Sequence, residues 1–414
     1  MKKVFVVVAL LLLSTAPALA AGDPEGYPIT SKFRVSFGGY VKLDYAYDSI
    51  KLDIPLLPGP PGGGIPAAGS PATKKTESIF TARQSRFWFK ISGPPIVGAK
   101  TTALIEADFY GGGGPSNEQP SLRLRQAFGT VDWADTQLLF GQAYDLFAPA
   151  IASTIDFRSG QTTGTPNNPR VPQVRVSHDV HLGESNSLKL VLGVQNPVQD
   201  FAPSATSGYS SMVNVAGQAF FTSKALGVAP GYYGMAMKPL TLGLFGLVGN
   251  EKIINNPQVN IWGYGQYLFL PVLKSADGKG RAMTLSFEEQ AYVAAGVDVS
   301  GATAAALVGP ANDRKAAKGY GLFGQFIFYP DQNLGVTAGY GRRNALDYDT
   351  YSFNGAFEKH NELYYANVAY DLNAAIRFAA EFEHARTLYG AIPAGATGDT
   401  GQVNSYRLAA FYFF

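Results

Sequence analysis

The chain has 414 residues, 46% hydrophobic and only 15% charged, with 33 lysines and arginines against 31 acids and no cysteine. So even a balance excludes a basic nucleic-acid-binding domain. The missing cysteines exclude disulfide staples, thiol catalysis and cysteine-ligated metals.

The amino terminus reads as a secretory signal. Lys2 and Lys3 precede an apolar run over 4–13, and Ala18, Leu19 and Ala20 form a small-x-small cleavage site. The run is shorter than the ~20 residues that span a bilayer, so residues 1–20 are expected to be removed and 21–414 to form one domain. An uncleaved anchor is the other reading. Cleavage takes away two lysines and no acid, leaving 31 cations against 31 anions. Beyond the signal no uninterrupted apolar stretch reaches ~18 residues. Hydrophobicity is instead spread over 27 phenylalanines, 23 tyrosines and 47 glycines. That pattern excludes a helical membrane protein and suits a barrel in which every second residue meets lipid.

The first mature strand spans 34–48. Its odd positions (Val35, Phe37, Gly39, Val41, Leu43, Tyr45, Tyr47) suit lipid, and its even positions (Arg34, Ser36, Lys42, Asp44, Asp48) suit water. A helix, with its period of 3.6, would mix the two sets. Comparable alternation recurs at 86–91, 102–109, 122–125, 137–144, 174–180, 188–194, 213–221, 240–248, 259–269, 283–290, 320–329, 334–341, 362–370, 376–385 and 405–414. The prediction is an all-β transmembrane antiparallel barrel of about sixteen strands. Connections alternate in length: 49–77 is long, 93–99 short, 145–173 long, 330–333 and 371–373 tight. Long loops on one rim and short turns on the other are what outer-membrane barrels show. The Pro/Gly-rich stretch 55–69 is read as an external loop. Segment 222–239 should be a short turn and is not, so the count there could be off by a pair.

The connection after the fifth strand, 145–173, starts apolar and carries Asp145, Asp156, Arg158 and Arg170. A barrel of about sixteen strands holds an aqueous lumen that something must narrow. General porins fold the loop after strand five inward, and resemblance to them implies a constriction loop here. The competing reading is an external loop without a pore role.

Inward positions near the amino end are rich in cations: Arg34, Lys42, Arg83, Arg86, Lys90, Arg123, Arg125 and Arg175. Arg123 and Arg125 project to one side about 7 Å apart, and neighbouring strands lie about 4.8 Å apart. Strands two to four thus bring Arg86, Lys90, Arg123 and Arg125 beside Glu106 and Asp108. Arg83 has the parity of Phe87 rather than Arg86, which a bulge or loop position would reconcile. Either surplus arginine forms an anion-attracting stripe focused by low-dielectric walls, or the arginines are paired by Asp44, Glu106 and Asp108 and stiffen the wall. In the second half Glu288, Glu289, Glu362, Glu381 and Glu383, with Arg377 among them, act as counterweights.

The four histidines are His178, His181, His360 and His384. Along a strand, residues three apart face opposite sides, so His178 and His181 do not converge on a metal. No nucleophile–base constellation, phosphate loop or zinc spacing is present, and Gly111 to Gly114 form a loop tip with no following helix. No cofactor and no enzymatic activity are expected.

The chain ends Tyr406-Arg407-Leu408-Ala409-Ala410-Phe411-Tyr412-Phe413-Phe414. Counting back in twos from Phe414 gives one apolar face, with Arg407 on the other. Soluble domains tend to finish in loose polar termini. A transmembrane barrel finishes in a strand that closes on the first. Tyr412 and Phe414 resemble the carboxy-terminal signature that barrel assembly machinery reads.

Finally, Phe37-Gly38-Gly39-Tyr40-Val41-Lys42-Leu43-Asp44, Ala82-Arg83-Gln84-Ser85-Arg86-Phe87, Leu122-Arg123-Leu124-Arg125-Gln126-Ala127-Phe128-Gly129 and Leu139-Phe140-Gly141-Gln142 resemble, in order and spacing, the DcaP-like porins. The match covers about the first third of the mature chain. It implies an outer-membrane homotrimer of sixteen-stranded barrels that passes small polar solutes and prefers anions, dicarboxylates included. By the same resemblance Arg83, Arg86, Arg123 and Arg125 line the mouth or constriction. The partners it implies are outer-membrane lipid, the solutes and the assembly machinery. An outer-membrane barrel enzyme and a secreted β-sandwich binding protein are the alternatives.

Overall fold

The computed structural model describes residues 33–52, 65–111, 120–147, 149–155, 164, 170–196, 208–209, 212–231, 236–253, 258–296, 307–308, 315–316, 318–346 and 358–414. The signal-peptide reading therefore lies outside the described residues. Within them sixteen wall strands close an antiparallel barrel. In chain order they are β1 (Arg34–Asp48), β2 (Glu77–Thr81 continuing as Arg86–Ile96), β3 (Ala99–Gly111), β4 (Ser121–Asp132), β5 (Thr136–Tyr144), β6 (Arg170–His181), β7 (Asn186–Gln195) and β8 (Asn214–Pro230). They continue as β9 (Met237–Ile253), β10 (Val259–Leu273), β11 (Thr284–Ala295), β12 (Lys318–Tyr329), β13 (Leu334–Ala345), β14 (Glu358–Asp371), β15 (Ile376–Tyr389) and β16 (Thr400–Phe413).

The burial pattern is inverted relative to a soluble protein. Leu192, Leu244, Tyr264 and Phe326 are more than half exposed, while Lys42, Glu383 and Gln290 are fully buried. More exposed and buried residues alternate along β1, β11 and β14, with Lys42, Asp44, Ser286, Glu288, Gln290 and Asn367 on the buried face. Apolar side chains therefore form the outer belt and polar ones face inward, which the period of two makes possible.

β16 closes the ring on β1, with Tyr40 opposite Phe413 and Asp48 opposite Ser405. Gly39 and Phe414 exchange backbone hydrogen bonds at 2.9 and 3.1 Å. Tyr412 and Phe414 point outward, and Phe414 packs its ring 5.3 Å from Phe37. Among the described residues every wall strand is paired with a neighbour on each side, so the sheet closes as a lipid environment demands.

The strand count of sixteen stands where the sequence reading doubted it. Segment 222–239 is the long end of the β8–β9 hairpin, whose register shifts between Ser223 and Val228. A bulge absorbs the extra residues. β4 carries another: Asp108 pairs with Arg123 and Ala107 with Leu124, but Glu106 pairs with Gln126. Arg125 is the extra residue. β2 is interrupted at 82–85, and Arg83 sits buried in that interruption, its carbonyl accepting from Phe109 N at 3.1 Å. Its odd parity has this cause.

Of the stretch 55–69, residues 55–64 lie outside the described residues; in the remainder Ile65 and Ala67 are buried, and Ala67 bridges to Gly401. Ile50, Leu52 and Ile65 pack with the inward side chains Tyr267, Phe269, Phe323 and Leu363. Inward apolar residues on β10, β12 and β14 need a cover, and chain from the first loop supplies part of it.

Candidate channel and its charged wall

Among the described residues, the connection following β5 lies against the inner face of the wall. Its described part, 145–155 less residue 148, runs across inward side chains of β7, β8, β11, β12, β14, β15 and β1. Leu146 N donates to Gln195 Oε1 (3.1 Å), and Leu146 O accepts from Gln218 Nε2 (2.7 Å). Ala150 N donates to Gln290 Oε1 (3.0 Å), and Ser153 N to Gln325 Oε1 (2.8 Å). Ser153 O accepts from Asn367 Nδ2, and Ile155 N donates to Glu381 Oε2 (2.9 Å). A segment without a strand partner must still satisfy its backbone. Here inward amides and a carboxylate do so one after another.

Apolar contacts reinforce the seating. Leu146 and Phe147 are buried against Phe245, Leu247, Ile261 and Tyr292. Ala150 and Ala152 join the cluster of Tyr267, Phe269 and Phe323. Gly263 makes room for Phe147: a Cβ there would stand 2.4 Å from the ring's Cζ. Asp156 and Arg158 lie outside the described residues. Arg170 begins β6 rather than belonging to the loop, and its guanidinium lies 5.7 Å from the Tyr144 ring centre.

The opposite wall carries the arginines. Arg125 reaches Glu106 through Nε and Asp108 through Nη1 (2.7 Å), and donates to Tyr144 Oη at 2.8 Å. Arg123 clasps Asp108 with Nε at 2.9 Å and Nη2 at 2.6 Å. Arg86 lies 3.4 Å from Glu106. The β4 bulge turns both Arg125 and Gln126 onto Glu106, with Gln126 Nε2 at 2.8 Å from it. On β2 to β4, therefore, three guanidiniums (Arg86, Arg123, Arg125) engage two carboxylates, and Arg170 and Arg175 follow on β6 beside Tyr144 and Gln173. Arg125 is buried in this paired network, whereas Arg123 pairs with Asp108 and keeps 39% of its side chain exposed.

Between this wall and the inner segment lies a cavity of about 1230 Å³. Arg86, Glu106, Asp145 and Arg175 face it from the wall side, and Pro149, Ala150 and Ile151 from the segment. Arg281, Asp371 and Arg377 border it at the short-turn rim, where Asp371 pairs with Arg281 at 3.1 Å and Arg377 at 2.5 Å. Phe411 and Phe413, on the inward face of β16, stack at 5° and also line it.

The remaining candidates separate by position. Lys42 pairs with Asp44 at 2.7 Å, and Arg407 with Asp48 at 3.0 Å and Glu383 at 3.6 Å. All are buried beside the closing strand, where they brace the wall. Arg34 and Lys90 keep the inward register but are exposed near the short-turn rim. Of the counterweights, Glu288, Glu381 and Glu383 face inward beneath the inner segment. Glu289 and Glu362 do not: Glu289 is hydrogen-bonded to Gln266 on the outer wall, and Glu362 shares the outward register of Tyr364. Adjacent strand residues such as Glu288 and Glu289 cannot both face the lumen. His178 and His181 bond separately to Thr136 (2.8 Å) and Asp135 (3.0 Å).

The sequence did not single out Gln195, Gln218, Gln290, Gln325 and Asn367, which hold the inner segment. A usable signal was present: inward amides interleaved with inward aromatics on β10 to β14, a pattern no water-lined wall requires.

No protein-family model and no curated protein matches the chain. Solved structures do. The outer membrane channel DcaP of Acinetobacter baumannii superposes at a TM-score of 0.72 and 20% identity, covering 94% of this chain and 99% of that one. An anion-selective porin from Comamonas acidovorans gives 0.56 at 10% identity, over 92% and 100%. A trimer form of OmpT, an outer membrane protein of Vibrio cholerae, gives 0.52 at 12%, again over 92% and 100%. At these identities the likeness establishes the fold, a porin-type barrel.

Proposed function

We propose that the protein is an outer-membrane porin, a water-filled channel for passive diffusion of small polar solutes that favours anions such as carboxylates. The observation that carries this reading is the cavity of about 1230 Å³ inside an apolar-belted barrel, lined on the arginine wall by Arg86, Arg175 and Glu106, with the Arg123, Arg125 and Asp108 network joined to that wall through Glu106. Guanidinium forks match carboxylate geometry, and a narrow low-dielectric passage amplifies their field. The inner segment crosses the wall opposite and narrows the lumen. The apolar outer belt supports a bilayer setting, in which the long loops would face outside and the short turns the periplasm.

The sequence resemblance to DcaP-like porins and the likeness to an anion-selective porin support the same solute class. The trimeric form of one structural neighbour supports assembly as a homotrimer. The outward Tyr412 and Phe414 are available to the assembly machinery before β16 closes the ring. Reversal potentials in a salt gradient test the anion preference: the expected sign is anionic, and a cationic sign overturns it.

A further inference from the structure

We propose that the outer face of β13 to β15 binds the phosphate of an outer-leaflet lipid, through Arg342 and Arg386. This rests on the membrane orientation given above. Arg342, Glu362 and Arg386 are register partners in one row across three strands, on the lipid-facing side. Two guanidiniums share a single carboxylate: Arg342 Nη1 is 3.0 Å from Glu362 Oε1, and Arg386 Nη1 is 3.9 Å from Oε2. Arg342 Nη2 also reaches Asn344 Oδ1 at 3.3 Å, while the Nε of each arginine is buried. The side chains remain 32% and 40% exposed. The row therefore sets two partly exposed guanidiniums against one carboxylate and is cationic.

Height on the wall identifies the ligand. Two residues toward the bilayer on β13 and β14 stand Tyr340 and Tyr364, rings 4.8 Å apart, and the half-exposed Tyr406 lies nearby on β16. Below them the outward residues are Val336, Val368 and Phe378. An aromatic girdle marks the headgroup boundary, and one pair step along a strand is about 7 Å. The row therefore sits at phosphate depth. Guanidinium forks take phosphate bidentately, and a cation at that level gains from the anionic surface.

The test uses the purified protein in detergent and native mass spectrometry with three probes: a bisphosphorylated acylated glucosamine disaccharide, the same lipid without phosphates, and inorganic phosphate. The wild type should hold the phosphorylated lipid about tenfold more tightly than the dephosphorylated one, and Arg342→Gln with Arg386→Gln should erase that preference. A preference that survives the double substitution, or is absent from the wild type, overturns the proposal. So does equimolar inorganic phosphate displacing the lipid, which would make the site one for free phosphate. Loss of oligomer mass in the variants with lipid preference unchanged would place a neighbouring copy on the row, and also overturns it. Arg386→Gln alone leaves the Arg342–Glu362 pair in place and should cost about threefold; no loss contradicts the assignment. Conductance of these variants should match wild type, so the outcome is separate from that of the porin reading.

Discussion

Lys42 donates through Nζ to the carbonyl oxygen of Ile155 at 2.8 Å, tying the first strand to the far end of the inner segment. The same ammonium pairs with Asp44, reaches Gln84 and lies 5.0 Å from the Phe411 ring centre. Ile155 N is held in turn by Glu381. Both backbone groups of one residue are thereby fixed between β1 and β15, on either side of the closing strand.

Lys42→Met should loosen that end and leave Asp44 without its ammonium. Breaking a buried ion pair costs about 3–5 kcal/mol, so detergent-solubilised variant should unfold at a lower temperature and its single-channel current should be noisier. An unchanged midpoint with a quiet current would place the anchorage elsewhere.

Arg123 and Arg125 should separate selectivity from stability. Arg123 is partly exposed, so Arg123→Gln should shift the reversal potential toward cations with little change in unfolding. Arg125 is buried between Glu106 and Asp108, and Arg125→Ala should cost about 3–5 kcal/mol. If Arg123→Gln leaves the potential where it was, the exposed guanidinium does not set selectivity.

Deleting 154–165 removes Ile155 and both of its bonds. Single-channel conductance should then rise, because the segment leaves the wall it covers. Gly263→Ala should act in the same direction more mildly, by pushing Phe147 off its seat. Conductance equal to wild type in both would remove the segment from the conduction path.

The outer belt makes its own prediction. Leu244, 65% exposed near the middle of β9, should tolerate Phe, whereas Leu244→Arg should cost about 2–4 kcal/mol for folding into vesicles. A cost near zero would mean that this face does not meet lipid.

At the short-turn rim, Asp277 accepts from Gly280 N (2.6 Å), Lys279 N (2.8 Å) and the Ser275 hydroxyl (3.1 Å), which hold its carboxyl down to about 2. A carboxyl lowered by folding stabilises above its unfolded value of about 3.9 and ceases to as pH falls through the folded one. Protection of the Lys279 and Gly280 amides, taken against their intrinsic exchange at each pH, should therefore hold down to about pH 4 and decline between there and about 2. Asp277→Ala should remove that protection and its pH dependence.

Much of this was legible in the chain. The period of two along β1 and β16 fixed wall, faces and closure, because a lipid-facing strand tolerates few exceptions. Strand spacing alone brings Arg86, Arg123 and Arg125 beside Glu106 and Asp108, though it does not say which arginine takes which carboxylate. Register faults were not legible: the extra residue in β4 turns Arg125 and Gln126 to the same carboxylate, and parity counting has no means of locating such a residue. Glu289 and Glu362 misled because charge was taken to mean lumen; one pairs with Gln266 on the outer wall and the other stands above the aromatic girdle. The inner segment's partners were missed because a glutamine facing inward looks the same whether it meets water or a backbone N–H.

The central claim is an aqueous channel biased toward anions by the β2–β6 arginines. Planar-bilayer recording of the purified protein under a salt gradient tests it most directly. The account predicts stepwise conductance with a reversal potential of anionic sign. Bilayers that stay closed would contradict the channel, and steps with a cationic reversal potential would contradict the role of the arginines.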